Sequence, residues 1–315
     1  MTGPIAVTGG TGFLGRYIVR ALAARGHRPR LLCRHRPVHP QLADLDFEVV
    51  AGDLDDRAAL DRLLSGADAI VHAAGLVAAR TRATFNAVNV AGTAGIAEAA
   101  KRTGARFILM SSMAARAPHL SDYARSKADG EAIAESILGP PRDWAILRPT
   151  AIYGPWDLAG LAVFRLMGRR IAWLPGRPSA RITLIHAADA AHAVTSLVEA
   201  RDIGGLFEAT DERMEGYSWL ELAALAASTS ESAPRPLFLP PALTRLVART
   251  SLAGPVFSPG KAREILHPDW GSRPEAQLPA AVWRPAIALA QGLTETLRWY
   301  RGQGLLPPAD GSGSR

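Results

Sequence analysis

The fold is decided near the start of the chain by one stretch, Ile5-Ala6-Val7-Thr8-Gly9-Gly10-Thr11-Gly12-Phe13-Leu14-Gly15. Its apolar opening predicts a strand, its glycines predict a tight turn, and an amphipathic pattern from Phe13 predicts a helix. Glycines in such a turn let backbone N–H groups approach a pyrophosphate, and the helix N-terminus stabilises the negative charge. The glycines are spaced by three residues, unlike the tighter G-x-G-x-x-G pattern. We therefore predict that Gly9, Thr11, Gly12 and Gly15 bind the pyrophosphate of a dinucleotide.

Beyond this turn, short β-rich runs alternate with helical patterns as far as about residue 200. The first helix is predicted over Phe13–Arg25, where apolar residues recur at helical spacing before Gly26. Such alternation is typical of βαβ units, so we predict an α/β fold with a Rossmann-type doubly wound parallel sheet. The predicted strands are Ile5–Thr8, Arg30–Cys33, Phe47–Ala51, Ala69–His72, Phe107–Ser111, Ala145–Leu147 and Arg181–Ile185, the last returning to the same sheet with a helix from Asp189.

After Pro155 the pattern changes, because Pro and Trp become frequent and the strict alternation fades. We expect a smaller, discontinuous C-terminal lobe that binds the substrate. The predicted dinucleotide-binding Rossmann domain comprises residues 1–154 and 181–210, and the lobe comprises residues 155–180 and 211–309. Residues 310–315, rich in Gly and Ser, are expected to form a flexible tail.

The composition narrows the classes of partner. The formal net charge is +7, but no basic run is interleaved with aromatic residues, so no nucleic-acid partner is expected. Cys33 is the sole cysteine, which excludes an internal disulfide framework and a cysteine-based metal site and fits a reducing cytoplasm. The eight histidines lack the spacing of a zinc site, so we expect no metal. No stretch approaches the ~18 apolar residues of a membrane span, and a cytoplasmic protein is predicted.

The end of the second predicted strand indicates which dinucleotide binds. An acidic residue there would accept hydrogen bonds from the ribose of NAD, but the chain has Cys33-Arg34-His35-Arg36. Arg34 or Arg36 is expected to pair with a 2′-phosphate, so NADP(H) is predicted in preference to NAD(H). Asp53 and Leu54, after the third strand, suit the adenine edge. The small residues Ala73-Ala74-Gly75, after the fourth strand, let the backbone pass close to the cofactor.

A tyrosine and a lysine stand four residues apart in Tyr123-Ala124-Arg125-Ser126-Lys127, which places both on one face of a helix. A lysine cation one turn away stabilises the phenolate of the tyrosine and makes it an acid–base group at neutral pH. Ser111-Ser112 ends the preceding strand and places a hydroxyl where it can hydrogen-bond a substrate oxygen. This order of residues predicts the interconversion of a ketone and a secondary alcohol through Ser112, Tyr123 and Lys127.

These features occur in a characteristic order. The residues that carry the pattern are Thr8–Gly15, Asp53-Leu54, His72–Gly75, Asn89-Val90-Ala91-Gly92-Thr93, Ser111-Ser112, Tyr123–Lys127 and Leu147-Arg148-Pro149. Together they resemble the extended short-chain dehydrogenase/reductases, also called the epimerase/dehydratase family, over about residues 4–200. The resemblance implies that Ser112 is the catalytic serine and that Asn89 supports the active site. It also implies cofactor contacts at Phe13 and Leu14 in the pyrophosphate turn, and at Pro149, Thr150 and Ile152 near the nicotinamide.

Departures from the family pattern bear on the substrate. Dehydratase members carry an acid/base pair where this chain has Ser112-Met113-Ala114, so elimination is not expected. The block from Gly260 to Trp270 resembles members that act on lipid-like or steroid-like 3-oxo/3-hydroxy compounds, of the 3-oxo-sphingolipid, ceramide or steroid type. One alternative is a nucleotide-sugar epimerase with tightly bound NAD, against which Arg34 and Arg36 argue. Another is a non-catalytic NADPH-binding scaffold or sensor, against which the Tyr/Lys pair argues.

Two apolar stretches with intermittent arginines, Ala242–Val256 and Ala280–Tyr300, are typical of basic amphipathic helices. Such helices lie on anionic membranes, or else bury their apolar face while the arginines point to water. Peripheral contact with the inner face of the membrane is therefore one hypothesis. Resemblance to the family also implies a homodimer, through the helices around Ala87–Arg102 and Tyr123–Leu138.

Overall fold

The computed structural model of the protein describes residues 2–35, 38–140, 143–167, 171–228, 235–250 and 258–307. Its strands are β1 (Ile5–Thr8), β2 (Pro29–Cys33), β3 (Glu48–Ala51), β4 (Ala69–His72), β5 (Arg106–Met110), β6 (Trp144–Pro149), β7 (Ala151–Tyr153), β8 (Ile171–Pro175), β9 (Arg181–Ile182), β10 (Leu184–His186), β11 (Gly205–Ala209), β12 (Tyr217–Ser218) and β13 (Arg235–Leu239). Its α-helices are α1 (Phe13–Ala24), α2 (Arg57–Leu64), α3 (Arg82–Phe85), α4 (Gly92–Thr103), α5 (Asp122–Leu138), α6 (Leu161–Met167), α7 (Ala187–Glu199), α8 (Trp219–Ser228), α9 (Pro241–Val247), α10 (Pro259–Ile265) and α11 (Leu289–Gly302).

Seven of the strands form one parallel sheet in the order β11-β6-β5-β4-β1-β2-β3. The strand order reverses next to β1, which is the topological switch point of a doubly wound sheet. The predicted α/β, Rossmann-type fold is therefore confirmed. In such folds, ligands bind beyond the carboxyl ends of the strands near the switch point. The glycine turn after β1 and the segments after β4 and β5 all lie at that edge.

Helices cover both faces of the sheet, which explains why its strands are mostly apolar. One core contains side chains from α2, α4 and α5 together with alternate strand residues such as Ala6, Ile70 and Phe107. The intervening residues, among them Ile5 and Val7, are equally buried and point to the other face. On that face α7 packs against α1 and the central strands.

The predicted return of Arg181–Ile185 to the central sheet is wrong. This segment forms two short strands: β9 pairs with β12, and β10 pairs with β7. The seventh strand of the central sheet is β11, which pairs in parallel with β6. The helix predicted from Asp189 begins two residues earlier, at Ala187. Local hydrophobicity identifies a strand but does not select its partner. Here the partners are β12 and β7, neither of which belongs to the central sheet.

The described residues divide into two compact units: those within 1–149, 187–209 and 276–284 form the first, and those within 150–186, 210–275 and 285–315 form the second. The second unit has its own core, to which Leu161, Leu174, Trp219, Leu293 and Tyr300 contribute. That this unit binds the substrate stays a prediction. Within the described ranges, no helix has both the length and the apolar composition that a membrane crossing needs.

The two basic amphipathic helices predicted in the C-terminal region are shorter than expected. In Ala242–Val256, the structure has α9, which ends at Val247, and residues 251–257 lie outside the described residues. In Ala280–Tyr300, the helix α11 begins only at Leu289. The residues before it include Pro285, whose ring does not fit a helix interior. The continuous helices predicted for these two stretches are therefore wrong in extent.

Candidate active site

The turn between β1 and α1 has the close packing that a pyrophosphate site needs. Gly9 has a φ of 71°, and a Cβ there would lie 2.5 Å from the backbone nitrogen of Ala74. A Cβ at Gly15 would lie 1.9 Å from the carbonyl oxygen of Gly9. Gly12 is the N-cap of α1 and offers no side chain to cap the first-turn N–H groups, which have no partner within the helix. These residues fit an anionic dinucleotide, because the donors and the dipole at this helix end favour negative charge.

The predicted neighbours of the turn lie around its open side. Thr11 and Gly12 are exposed, and Phe13 packs edge-on against Tyr17 with ring centroids 5.8 Å apart. Leu14 is half-buried in the first turn of α1. Sequence reasoning missed Arg16, whose Nη1 donates to the carbonyl oxygen of Thr11 at 2.6 Å. The signal that could have identified it is its position directly after Gly15, the last glycine of the turn.

The residues predicted around the adenosine lie at the carboxyl ends of β2 and β3. Arg34 is exposed directly after the buried Cys33, whereas Arg36 lies outside the described residues. Asp53 is exposed, and its Oδ1 accepts the backbone N–H of Asp55 at 3.1 Å. Leu54 packs against α4, since a Cβ at Gly92 would lie 2.9 Å from its Cδ1. Cofactor contacts at these positions stay predictions.

A chain of buried hydrogen bonds joins the end of β1 to the active-site helices. His72 Nδ1 lies 2.7 Å from Thr8 Oγ1, and His72 Nε2 lies 3.1 Å from Thr93 Oγ1. Thr93 donates its only hydroxyl hydrogen to the carbonyl oxygen of Asn89, so it accepts from His72, which must carry the hydrogen on Nε2. Burial and the nearby Lys127 lower the pKa of His72 to about 3, which keeps the ring neutral.

The same chain holds the segment after β4 in place. The backbone N–H of Ala73 donates to the carbonyl oxygen of Thr8 at 3.1 Å, and that of Ala74 donates to Thr8 Oγ1 at 3.3 Å. The backbone of residues 73–75 thus follows the glycine turn closely, and its contact with the cofactor stays a prediction. His72, Thr8 and Thr93 were not predicted as site residues, although all three lie within the motif blocks of the family pattern.

Asn89 is a positioning residue in this arrangement. It lies in a π-helical segment, Asn86–Ala91, and its side chain is buried. Its Oδ1 accepts the N–H of Leu76 at 2.7 Å, and its Nδ2 donates to the carbonyl oxygen of Leu76 at 3.0 Å and to Ser126 Oγ at 2.9 Å. Asn89 therefore links the segment after β4 to α5, and its contact on α5 is Ser126, the residue directly before Lys127.

Tyr123 and Lys127 lie on the first turns of α5. The helix begins after Ser121, whose Oγ accepts the N–H of Ala124 at 2.9 Å. The Tyr123 ring packs against Phe85 with centroids 6.1 Å apart. Lys127 Nζ donates to the carbonyl oxygen of Met110 at 2.5 Å, which anchors it at the end of β5. Burial lowers the pKa of Lys127 to about 8, against an opposing effect of the Glu131 carboxylate.

The two serines after β5 have different environments. Ser112 is half-buried and caps a short 3₁₀ turn, Met113–Arg116, by accepting the N–H of Ala114 at 3.2 Å. That bond fixes the oxygen and uses none of its donor capacity. Ser111 is buried and donates its hydroxyl hydrogen to Glu131. The geometry therefore favours Ser112 as the hydroxyl that meets a substrate.

Behind these residues lies a buried ion pair that sequence reasoning missed. Glu131 is 5% exposed and accepts from Ser111 and from Arg148, whose Nε donates to Oε1 at 2.8 Å and whose Nη2 donates to Oε2 at 2.5 Å. Glu131 follows Lys127 by four residues, so it lies on the same face of α5. The sequence signal that could have identified Glu131 is the repeated spacing of four residues from Tyr123 to Lys127 to Glu131.

We expect Glu131→Gln to alter the pH dependence of the reaction. The carboxylate raises the pKa of Lys127, so its removal lowers that pKa and shifts the loss of the ammonium to lower pH. The predicted role of Lys127 requires its ammonium form, and therefore kcat/KM should fall as pH rises through about 8 in the native enzyme and at lower pH in the variant. The difference should be about three- to tenfold at pH 8. The exposed Glu135→Gln on the same helix is the control, and superimposable pH profiles would contradict the role of Glu131.

The remaining predicted cofactor contacts are divided between the units. Pro149 ends β6 in the first unit, whereas Thr150 and Ile152 belong to the second. Thr150 is buried, and among the described residues no group hydrogen-bonds its hydroxyl. Ile152 lies on β7, opposite Ile185 of β10. Cofactor contacts at Pro149, Thr150 and Ile152 stay predictions.

Comparisons with known proteins identify the family of this chain. The NAD dependent epimerase/dehydratase family matches residues 5–208. The ceramide reductase of Caulobacter vibrioides is 44% identical over 97% of this chain and 96% of its own length. The sterol demethylase protein B of Methylococcus capsulatus is 35% identical over 54% of this chain and 59% of its own length. The crystal structure of gox2253 superposes with a TM-score of 0.77 at 22% identity, covering 97% of this chain and 100% of that one, and so shows the fold.

The family match spans more than half of the chain and includes the glycine turn, both serines, Tyr123 and Lys127. The ceramide reductase aligns over nearly the full length of both chains. The chain therefore belongs to the NAD dependent epimerase/dehydratase family and is an NAD(P)-dependent oxidoreductase that acts on CH–OH and C=O groups.

Proposed function

We propose that this protein is an NADPH-dependent reductase that converts a ketone to a secondary alcohol on a hydrophobic, 3-oxo lipid-like substrate of the ceramide type. The observation that carries the proposal is the anchoring of Lys127 on the carbonyl oxygen of Met110, two residues before Ser112, on the helix that also holds Tyr123. Support for the substrate class comes from the 44% identity with the ceramide reductase over nearly the whole chain.

The chemistry divides between the cofactor and the chain. When bound, the reduced nicotinamide supplies the hydride. Ser112 donates a hydrogen bond to the substrate oxygen, and Tyr123 donates the proton that this oxygen needs as it becomes a hydroxyl. The Lys127 ammonium stabilises the resulting phenolate and binds the cofactor ribose. Asn89 and the Ser111–Glu131–Arg148 cluster fix the positions of these groups relative to the sheet.

The preference for NADPH rests on the basic end of β2. The described residues there include Arg34 and no carboxylate, whereas an NAD-specific site would place an acidic residue at this position. We expect Arg34→Ala to raise KM for NADPH by about 10- to 100-fold, because a charge-assisted bond to the 2′-phosphate is lost. KM for NADH should change little. Steady-state kinetics with both cofactors measures the effect.

Arg28→Ala is the matched control for Arg34→Ala. Arg28 precedes the opposite end of β2 and pairs with Glu48 at 3.0 Å, so its loss should leave both KM values unchanged. An Arg34→Ala enzyme with the native ratio of KM values would show that the 2′-phosphate is bound elsewhere.

The proposed function itself is tested by following NADPH oxidation with a panel of ketones in detergent. The panel contains 3-oxo-ceramide, a 3-oxo steroid, a short-chain 3-oxo amide and, as a sugar nucleotide with a ketone, UDP-4-keto-6-deoxyglucose. We expect turnover of the 3-oxo lipids and none of the sugar nucleotide. Tightly held NAD after purification, with no consumption of free NADPH, would instead indicate an epimerase. A homodimer and a cytoplasmic location at the inner face of the membrane stay predictions.

A further inference from the structure

An exposed apolar face lies on the two-stranded parallel ribbon β8–β13 in the second unit. Trp173 and Leu237 are paired in register, and their side chains are each 43% exposed. Ile171, on the same face of β8, is 42% exposed. The opposite face of the ribbon is core, since Ala172 and Leu174 are buried. One face thus builds the unit, and the other presents large apolar side chains outward.

The helix that follows continues this exposure. Only Pro240 separates β13 from α9, so the helix starts where the ribbon ends. Leu243, Leu246 and Val247 are 42%, 59% and 39% exposed, and their i, i+3, i+4 spacing places them on one helix face. The helix is held to the protein by another face, on which Thr244 is buried. Of the eleven large apolar side chains that are exposed in the described ranges, six belong to this ribbon and helix.

The charged residues of these elements all have one sign. The charged residues of β8, β13 and α9 are Arg235 and Arg245, and these three elements contain no aspartate or glutamate. On α9, Arg245 is exposed on a different face from the leucines, and Arg249 is exposed just beyond the helix end. Tryptophan and leucine flanked by arginine are the side chains that insert at the boundary of acyl chains and anionic headgroups. A second copy of this basic surface would be repelled by the like charge.

We propose that the outer face of β8–β13 together with α9, the ribbon–helix surface, docks on an anionic phospholipid bilayer. Trp173, Leu237 and Leu246 enter the headgroup boundary, and Arg245 and Arg249 contact lipid phosphates. This inference rests on the proposed function for its purpose, because a substrate of the ceramide type resides in a membrane. Its physical basis, exposed apolar side chains on three elements whose charged residues are arginines, is independent of the substrate.

The test uses the full-length protein and vesicles in a flotation assay, with vesicles of phosphatidylcholine alone and with about 30% phosphatidylglycerol. We expect binding to the anionic vesicles that weakens with salt, since headgroup attraction is screened within a Debye length. The Trp173→Glu/Leu246→Glu variant should bind at least tenfold more weakly. The Arg245→Ala/Arg249→Ala variant should lose about fivefold per arginine at low salt.

Leu220→Glu is the matched control, because Leu220 is 47% exposed on α8, outside the ribbon–helix surface. It should float like the native protein. Circular dichroism melting and reduction of a short-chain 3-oxo amide in solution check that each variant is folded and active. Native protein that does not float with anionic vesicles, or a Trp173/Leu246 variant that floats equally well, overturns the proposal.

Two further outcomes are distinguishable. If light scattering shows that the native protein is a dimer and that the Trp173/Leu246 variant is a monomer, with neither binding vesicles, the surface serves a second copy and the bilayer proposal is overturned. If the native protein binds vesicles but reduces no lipid ketone in detergent, the proposed function fails while the docking surface stands.

Discussion

Tyr123→Phe should bind NADPH normally and lose turnover by about 10³- to 10⁴-fold. The substitution removes one hydroxyl from a ring whose packing against Phe85 is kept, so the helix and the cofactor site should be unchanged. What is lost is the proton donor to the substrate oxygen, and positioned acid–base groups contribute rates of about this size. Single-turnover kinetics with NADPH fluorescence separates binding from the chemical step.

Tyr217→Phe is a suitable control, since Tyr217 is buried in the second unit and donates to Asp211 at 2.8 Å. Its loss should reduce stability and leave the turnover of folded enzyme within a few-fold of native. Near-native turnover of Tyr123→Phe would refute the mechanism, whatever the substrate. Loss of NADPH binding in Tyr123→Phe would point to a structural effect and would also contradict the role assigned to the phenol.

Arg106→Met should lower the free energy of unfolding by about 3–5 kcal/mol, because it removes a fully buried guanidinium that holds the end of α7. Arg106 Nε donates to the carbonyl oxygen of Leu197 at 2.9 Å, and Nη2 donates to that of Ala200 at 3.0 Å. Nη1 donates to Asp143 at 2.9 Å. Each carbonyl left without a donor costs about 1–3 kcal/mol. The midpoint of urea unfolding measures the loss.

Arg102→Met provides the comparison, because Arg102, four residues earlier in the chain, forms an exposed ion pair with Asp61 at 2.6 Å. Exposed pairs of this kind contribute about 0–1 kcal/mol. The two variants delete the same charge and differ in burial, so a similar loss for both would show that Arg106 does not anchor the end of α7.

Much of the first unit could be predicted from local patterns. The glycine turn, the amphipathic period of α1 and the apolar runs of β1 and β4 are each encoded within a few adjacent residues, and the structure places them as expected. Tyr123 and Lys127 were predicted to share a helix face for the same reason. Spacing along a helix fixes which residues are neighbours before any tertiary contact forms.

The partners of buried polar residues could not be predicted in this way. Arg106 and Glu131 have the composition of surface residues, yet both are buried because carbonyl groups and Arg148 come to them from distant parts of the chain. The strand β11 was not predicted, because Glu208 interrupts its apolar pattern. In the structure Glu208 is buried and lies 3.6 Å from Arg116. Such pairs satisfy each other only after the chain folds.

The sequence by itself determined the doubly wound sheet, the glycine turn and the order of Ser112, Tyr123 and Lys127, because each depends on the periodicity of short segments. Tertiary structure alone decided that β11, and not the segment after Arg181, completes the sheet, and that Glu131 and His72 support the site. It also left the ribbon–helix surface exposed. Strand partners and burial are set by which surfaces pack together, and that choice is made between segments far apart in the chain.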